Sequence, residues 1–599
     1  MSRTQPNLNL GVIGNCQVAA LIDDRGRIVW ACLPGPDGDP VFSALLSAEG
    51  GAAGRGVFAV DLTDAVSGEQ RYVHNTAILE TTLHDVRGGA LRVTDFCPRF
   101  RSRGRTFRPM MLVRIVEPVA GRPIVCVRLR PATNFGAQSD GGRCASHHVR
   151  FNAAAIGYRV TTDASLSAVL EDRPIVLEQP LTFILGPDET VEETPATLAH
   201  TLLEETRHYW QDWVRTLAVP FDWQEAVIRA AITLKLCTYE DTGAVLAALT
   251  TSIPESPHSG RNWDYRYCWL RDSFFVIQAL NRLGATRTME AYLHFIDNIV
   301  ARSTVGELQP LYSIKGDADV EERTVATLDG YRAMQPVRVG NQAAMQAQHD
   351  VYGAVILATT QLFFDRRLTR AGDLALFERL QPLGDRAATI YELPDAGPWE
   401  LRGRRATNTF SAVMSWAGCD RLARIAGRLG ATSASDRWRV CADDMRNRIL
   451  ARAWNDRRRA FVASFEGEDV DATALLLPEL GMLPATDPRF LSTLDVIGRE
   501  LREGDLVFRY RHADDFGVPQ SAFTVCAFWY VNALAAVGRK ELAREQFERL
   551  LSHANPLGLF SEDIDPATGE MWGNFPQTYS MVGVITSARR LSRTWEDAL

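Results

Sequence analysis

The period of the apolar residues changes once along this chain, and that change limits the available folds more than any other feature. From about residue 8 to about 195 the apolar residues alternate in short runs broken by Gly or Pro. Examples are Ala77-Ile78-Leu79-Glu80-Thr81-Thr82-Leu83, Leu91-Arg92-Val93-Thr94-Asp95-Phe96 and Ile124-Val125-Cys126-Val127-Arg128-Leu129. A period of two sends successive side chains to opposite faces of a strand, so many such runs predict a β-sandwich. A polar, helix-compatible segment with Leu202, Tyr209, Trp210 and Trp213 follows and stops before Pro220, which predicts a linker helix. From Asp222 the spacing is helical, with Val227, Ala230, Ala231 and Leu234 on one face, Asp222 as N-cap and Glu225 as its capping-box partner.

Helical spacing recurs at 223–241, 271–284, 286–302, 343–367, 373–392, 407–429, 433–454, 470–480, 488–503, 520–537, 539–553 and 578–593. Several of these segments end at Gly284, Gly430 or Gly538. Twelve helices joined as hairpins predict a ring, an (α/α)6 barrel. A helical solenoid would give a similar pattern, but no repeat of fixed period is present. The expected division is a β-sandwich over 1–195, a linker helix over 196–220 and an all-α barrel over 221–599.

Bulk composition excludes several functions. A net charge of -8 lacks the basic excess of a general nucleic-acid binder. Ten cysteines without a Cys-x-x-Cys pair read as small buried apolar side chains in a reducing compartment. Residues 1–10 hold no signal-peptide pattern, and no apolar run approaches the roughly 18–20 residues of a membrane span, so a cytoplasmic chain off the membrane is expected. The glycines at 50, 51, 54 and 56 lack the strand-to-helix setting of a phosphate loop and read as a turn. His147-His148 reads as a solvated loop pair. No cofactor and no metal site are expected, although a structural Ca²⁺ in a loop stays open; the oligomeric state is unknown.

One stretch carries chemistry more densely than the rest, Asn262-Trp263-Asp264-Tyr265-Arg266-Tyr267-Cys268-Trp269-Leu270-Arg271-Asp272. Its aromatic faces suit the C–H face of a sugar and its planar charged groups suit a rim of hydroxyls; core packing with surface ion pairs is the competing reading. Three further loops are rich in Gly, Pro and aromatics: 394–403 with Trp399, Glu400 and Arg402, 559–577 with Glu562, and 312–350 with Tyr312. Hydrolysis of an acetal needs two carboxylates across a sugar pocket, one protonated and one ionised. Glu400 beside Trp399 suits the acid, with Arg402 opposing any rise in its pKa. Glu562 suits the base, with Asp563 and Asp565 as competitors.

Together, Arg261 to Asp272, Gly397-Pro398-Trp399-Glu400-Leu401-Arg402-Gly403 and Asn574-Phe575-Pro576-Gln577 resemble glycoside hydrolase family 15, the group of glucoamylases, glucodextranases and bacterial trehalases. The N-terminal run with Gly14-Asn15 and Ile28-Val29-Trp30 is similar to the β-rich domain of bacterial members. The resemblance implies an inverting exo-hydrolase that releases glucose from non-reducing α-glucosyl ends. Glu400 would be its general acid and Glu562 its general base. Arg271 and Asp272 would clamp the terminal glucose, Trp263, Trp269 and Trp399 would line the pocket, and Asp264, Arg266, Tyr312 and Arg402 are further candidate sugar contacts. Inversion implies carboxyl groups about 6.5–9.5 Å apart.

Pro398, Met581 and Val518-Pro519-Gln520-Ser521 depart from the family pattern in loops expected near the pocket, which leaves the linkage open. The main expectation is a glucoamylase-type α-glucosidase, and trehalase is the alternative. An inverting phosphorylase and a silent carbohydrate-binding protein are further ones, both disfavoured by the carboxylates at Glu400 and Glu562.

Overall fold

The structure is a computed structural model that describes residues 5–47, 54–139, 141–153, 156–303 and 307–598. The alternating N-terminal runs form two antiparallel sheets. One runs in the order Gly11–Gly14, Ala19–Ile22, Ile28–Leu33, Val57–Leu62, Ile124–Arg130 and Ile175–Val176, with Asp39–Phe42 also paired to Ile28–Leu33. The other runs Arg143–Cys144, His148–Ala153, Ile156–Thr162, Leu181–Pro187, Leu112–Ala120, Ala90–Phe96, Leu79–Asp85 and Ala65–Tyr72. Leu91, Val93, Val116 and Phe183 of the second sheet meet Val60, Val127 and Phe58 of the first in one buried core, with Phe58 edge-on to Phe183 at 5.5 Å.

The central strands of the second sheet, Ala90–Phe96, Leu112–Ala120 and Leu181–Pro187, are buried on both faces. Their outer residues Phe96, Val113, Ile115 and Ile184 pack on Ala199, Leu202 and Leu203 of helix Pro195–Arg215. Thr194 caps that helix by accepting from the Thr197 N–H, and Pro195 sits where no N–H is needed. The other end of the same helix puts Tyr209, Trp210, Trp213 and Val214 into the core of the helical part. Gly54 and Gly56 have φ of +80° and +65° and turn the chain into Val57–Leu62; Gly50 and Gly51 lie outside the described residues.

Every expected helical segment is occupied, with three local differences. Asp222 does not cap Gln224–Leu236. Trp223 holds the cap position at φ +58°, and the Asp222 carboxylate instead accepts from Arg593 at 2.8 Å and Arg544 at 3.2 Å, tying the start of Gln224–Leu236 to helix Lys540–Leu551 and to the chain just past Thr578–Leu591. The segment expected at 343–367 becomes helical only at Asp350, because Asn341 caps a short 3₁₀ turn, Gln342–Met345, ahead of it. The segment 470–480 is a 3₁₀ turn, Ala472–Leu476, followed by Leu477–Leu480.

Six of these segments pack side to side in sequence. Leu270–Arg282 packs on Asp350–Phe364, that helix on Thr409–Arg428, and that one on the 472–480 segment. The 472–480 segment packs on Thr524–Ala536, which packs on Thr578–Leu591, and Thr578–Leu591 returns to Leu270–Arg282. The remaining helices, such as Thr432–Ala453 and Lys540–Leu551, lie against this set. All the sugar-compatible loops precede one of the six segments, so they gather at the same end. No helix among the described residues is long and apolar enough to cross a membrane.

Candidate active site

A single pocket opens where the six inner segments begin. Arg271 and Asp272 come from the first turn of Leu270–Arg282, Phe410 from Thr409–Arg428, Thr473 from 472–476, Phe523 from just before Thr524–Ala536, and Gln577 and Tyr579 from the start of Thr578–Leu591. Of the residues singled out from sequence, Trp263, Trp269, Arg271, Asp272, Trp399, Glu400, Arg402 and Glu562 line it.

Glu400 and Glu562 both line the pocket, each bonded to one of two neighbouring rings. The Tyr265 hydroxyl donates to Glu562 Oε1 at 2.7 Å, and the Trp269 indole N–H donates to Glu400 Oε1 at 2.7 Å. The two ring centroids are 5.3 Å apart. Arg271 at 3.1 Å and Gln348 at 3.2 Å also donate to Oε1 of Glu400, so three donors converge on one oxygen. Glu400 itself sits at φ +58°, a left-handed conformation that costs a non-glycine residue on the order of 1 kcal/mol. The fold holds that strain with the bond from Gln346 to the Glu400 carbonyl at 3.0 Å.

Glu562 is buried, and burial with the Glu255 carboxylate nearby pushes its pKa up to about 8; Arg509 and the Tyr265 bond act the other way. Gly573 lies directly under it. A Cβ there would come within 2.6 Å of the Glu562 Cβ, so any side chain at 573 displaces the carboxylate. The competitors fall away on placement. Asp563 is fully buried off the pocket, with neither oxygen hydrogen-bonded, and burial drives its carboxyl well above the usual range. Asp565 accepts from the Ala567 N–H and the Thr568 hydroxyl in an exposed turn.

Asp272 is buried and its Oδ1 takes no hydrogen bond, Arg271 Nε approaching it only to 3.6 Å, so that oxygen has room to accept one from a ligand. Burial, Glu400 and Asp350 raise its pKa to about 7 against the pull of Arg271. The Arg271 guanidinium is already engaged by Gln348, Asp350 and Glu400. It therefore orders the carboxylates as much as it offers donors to a ligand.

Three expected sugar contacts are elsewhere. Asp264 and Arg266 are fully buried and bonded to each other at 2.8 and 2.9 Å, and Arg266 also donates to the Gly38 carbonyl of the sheet-rich part at 2.8 Å. They join the two parts of the chain and do not line the pocket. Tyr312 pairs by backbone with Cys268, and its hydroxyl accepts from the Gln309 N–H at 3.0 Å, away from the cavity. Met581 and Val518, expected near the pocket, do not line it either, whereas Pro398 does.

Sequence reasoning missed Glu255 and the segment from Arg509 to Phe516. Glu255 accepts from the Trp263 indole at 2.8 Å and from Arg509. Arg509-Tyr510-Arg511-His512-Ala513-Asp514-Asp515 reads as a charged loop. The available signal was its position just before an apolar helix, as with the other site loops.

Comparison with known proteins identifies the family. The profile for Glycosyl hydrolases family 15 matches residues 222–589, and a trehalase-like N-terminal profile matches residues 3–164. A trehalase of Thermoplasma volcanium is 32% identical over 604 residues, covering 97% of this chain and 93% of its own length. A trehalase of Mycolicibacterium smegmatis is 32% identical, covering 99% of this chain and 92% of its own. Among solved structures, a bacterial glucoamylase complexed with acarbose superposes with a TM-score of 0.67 at 14% identity, covering 98% of this chain and 94% of that one. At that identity the superposition speaks for the fold, and the fold is a glucoamylase-like one with a sheet-rich N-terminal part and a helical C-terminal part. With a matching profile over most of the helical part and full-length relatives at 32% identity, this chain belongs to glycosyl hydrolases family 15.

Proposed function

We propose that the protein is an inverting trehalase, which cleaves α,α-trehalose into two glucose molecules. The observation that carries the reading is the pair Glu400 and Glu562, which line one pocket and are bonded to the adjacent rings of Trp269 and Tyr265. The full-length relatives named trehalase support trehalose over the maltooligosaccharides of the glucoamylase expectation. The closed succession of inner helices supports an (α/α)6 barrel as the scaffold.

In this reading Asp272 Oδ1 and Arg271 hold the glucose that is to be released by water. Glu400 gives its proton to the glycosidic oxygen as the C1–O bond breaks. Glu562 removes a proton from a water that attacks C1 from the opposite face. One water is consumed, and Glu400 is reprotonated as Glu562 gives up its proton. The reaction needs no cofactor.

Glu400→Gln and Glu562→Gln should each lower kcat by about three orders of magnitude or more with an unchanged thermal midpoint. Proton NMR of the first product from trehalose should show α- and β-glucose in equal amounts, because only the attacked ring inverts. Product that is α-glucose alone would refute inversion, and normal turnover by Glu562→Gln would refute the base.

A further inference from the structure

The pocket is graded from a buried floor at Arg271 and Asp272 to an exposed rim, and one wall of that rim is laced by side chains. Arg261 donates to both oxygens of Asp514 at 2.6 Å each and to the Gly517 carbonyl at 2.9 Å, which pins the 513–517 turn to the start of the aromatic stretch. The next residue, Asp515, reaches the opposite loop. Its Oδ2 accepts from the backbone N–H of Arg402 at 2.7 Å and of Gly403 at 2.8 Å, and Arg404 donates back to the Ala513 carbonyl at 2.9 Å. Glycine at 403 permits this approach, since a Cβ there would lie 2.7 Å from Asp515 Oδ1 and push that carboxylate aside. Trp263 fills the seam, with Phe516 edge-on at 5.3 Å and the Arg402 guanidinium 4.3 Å from its ring centroid.

We propose that Asp515 is a positioning residue that determines specificity. By tying the 513–517 turn to the loop that carries Glu400, it closes the rim behind a single leaving hexose and excludes longer chains. Glu400 lies two residues from the first of the two bonded amides, so the same tie holds the acid at the scissile oxygen. The direction of the leaving group follows from burial. The ring to be attacked sits on the buried floor by Asp272, so the departing ring must point to the exposed side, where Asp515 and Gly403 meet. The charge of the wall suits a neutral sugar, because the Arg261 guanidinium is matched by Asp514 and that of Arg402 by Glu322. The inference deepens the hydrolase reading and rests on Glu400 as the acid.

The test measures kcat/KM on trehalose, maltose, maltotriose and maltotetraose for the parent, Asp515→Ala and Asp515→Asn. The parent should fall by about tenfold or more from maltose to maltotriose, and Asp515→Ala should raise the maltotriose-to-maltose ratio by about tenfold while losing kcat on the disaccharides. Asp515→Asn, whose amide oxygen still accepts both N–H bonds, should restore the parent's chain-length profile. Because Asp515 is exposed, its removal should leave the thermal midpoint near the parent's, which separates the effect from misfolding. For a sugar that is bound but not cleaved, the quench of tryptophan fluorescence in a Glu400→Gln background supplies the same ratio. A parent that takes maltotetraose as well as maltose, or an Asp515→Ala variant with an unchanged ratio, overturns the proposal. Failure to cleave trehalose would instead overturn the trehalase reading and leave the chain-length result standing.

Discussion

The two carboxyls proposed as acid and base, Glu400 and Glu562, sit in different surroundings, and these are the reverse of what their neighbours in sequence suggest. Glu400 beside Trp399 reads as the desolvated group, yet it accepts from Trp269, Gln348 and Arg271, while the Trp399 indole turns away to Asp471 at 2.8 Å. Glu562 reads as one acid in an acidic run, yet it is the buried one, held up to about 8. Only the ionised form can act as a base, so kcat/KM should rise as pH climbs through the Glu562 value. Glu255 is a negative charge that raises that value, and it also engages Arg509, which lowers it. Removing the charge should therefore lower it. Glu255→Gln is expected to move the acid-side inflection of the kcat/KM profile down by about one pH unit. An inflection that stays in place, measured between about pH 5 and 9 on trehalose, would separate the base from Glu255. None of this was legible in sequence, because Glu255, Arg509 and Glu562 come from three distant segments.

At the scale of elements, the aromatic stretch 262–272 divides by a rule that the sequence does contain. Its first half is extended, with Thr251 bridged to Asp264, so side chains alternate between faces. Trp263 and Tyr265 go to the pocket, while Asp264 and Arg266 go to the other side and meet Gly38. The chain then enters a helix, and Arg271 and Asp272 return to the pocket from its first turn. A period of two followed by a helical turn would have sorted these residues, whereas charge density alone grouped them. Breaking a fully buried ion pair leaves one charge unpaired, so Asp264→Ala should cost about 3–5 kcal/mol of unfolding free energy in urea. An effect below about 1 kcal/mol would mean that water reaches Arg266 once its partner is gone.

On the scale of the whole molecule, the sheet-rich part keeps a core of its own between its sheets and also contributes to the core of the helical part. Leu8, Leu10, Val12, Val29 and Trp30 belong to the same buried cluster as the inner helices. The Trp30 indole donates to the Leu249 carbonyl at 2.8 Å, Arg99 forks onto Glu240 at 2.7 and 2.8 Å, and Asn555 donates to the carbonyls of Leu8 and Leu10. Calorimetry should therefore show one cooperative unfolding transition, and two resolved transitions would contradict a shared core. Sequence alone determined the order of the elements, because strand and helix periods are local properties of apolar spacing. It also marked Glu400, Glu562, Arg271, Asp272 and the tryptophans as sugar-compatible groups, because such residue types cluster in loops that precede helices. Only the tertiary structure decided which acidic residues line the pocket, which of them burial pushes up in pKa, and which backbone amides meet Asp515. Those outcomes depend on burial and on partners brought together from segments hundreds of residues apart, and no local pattern encodes either.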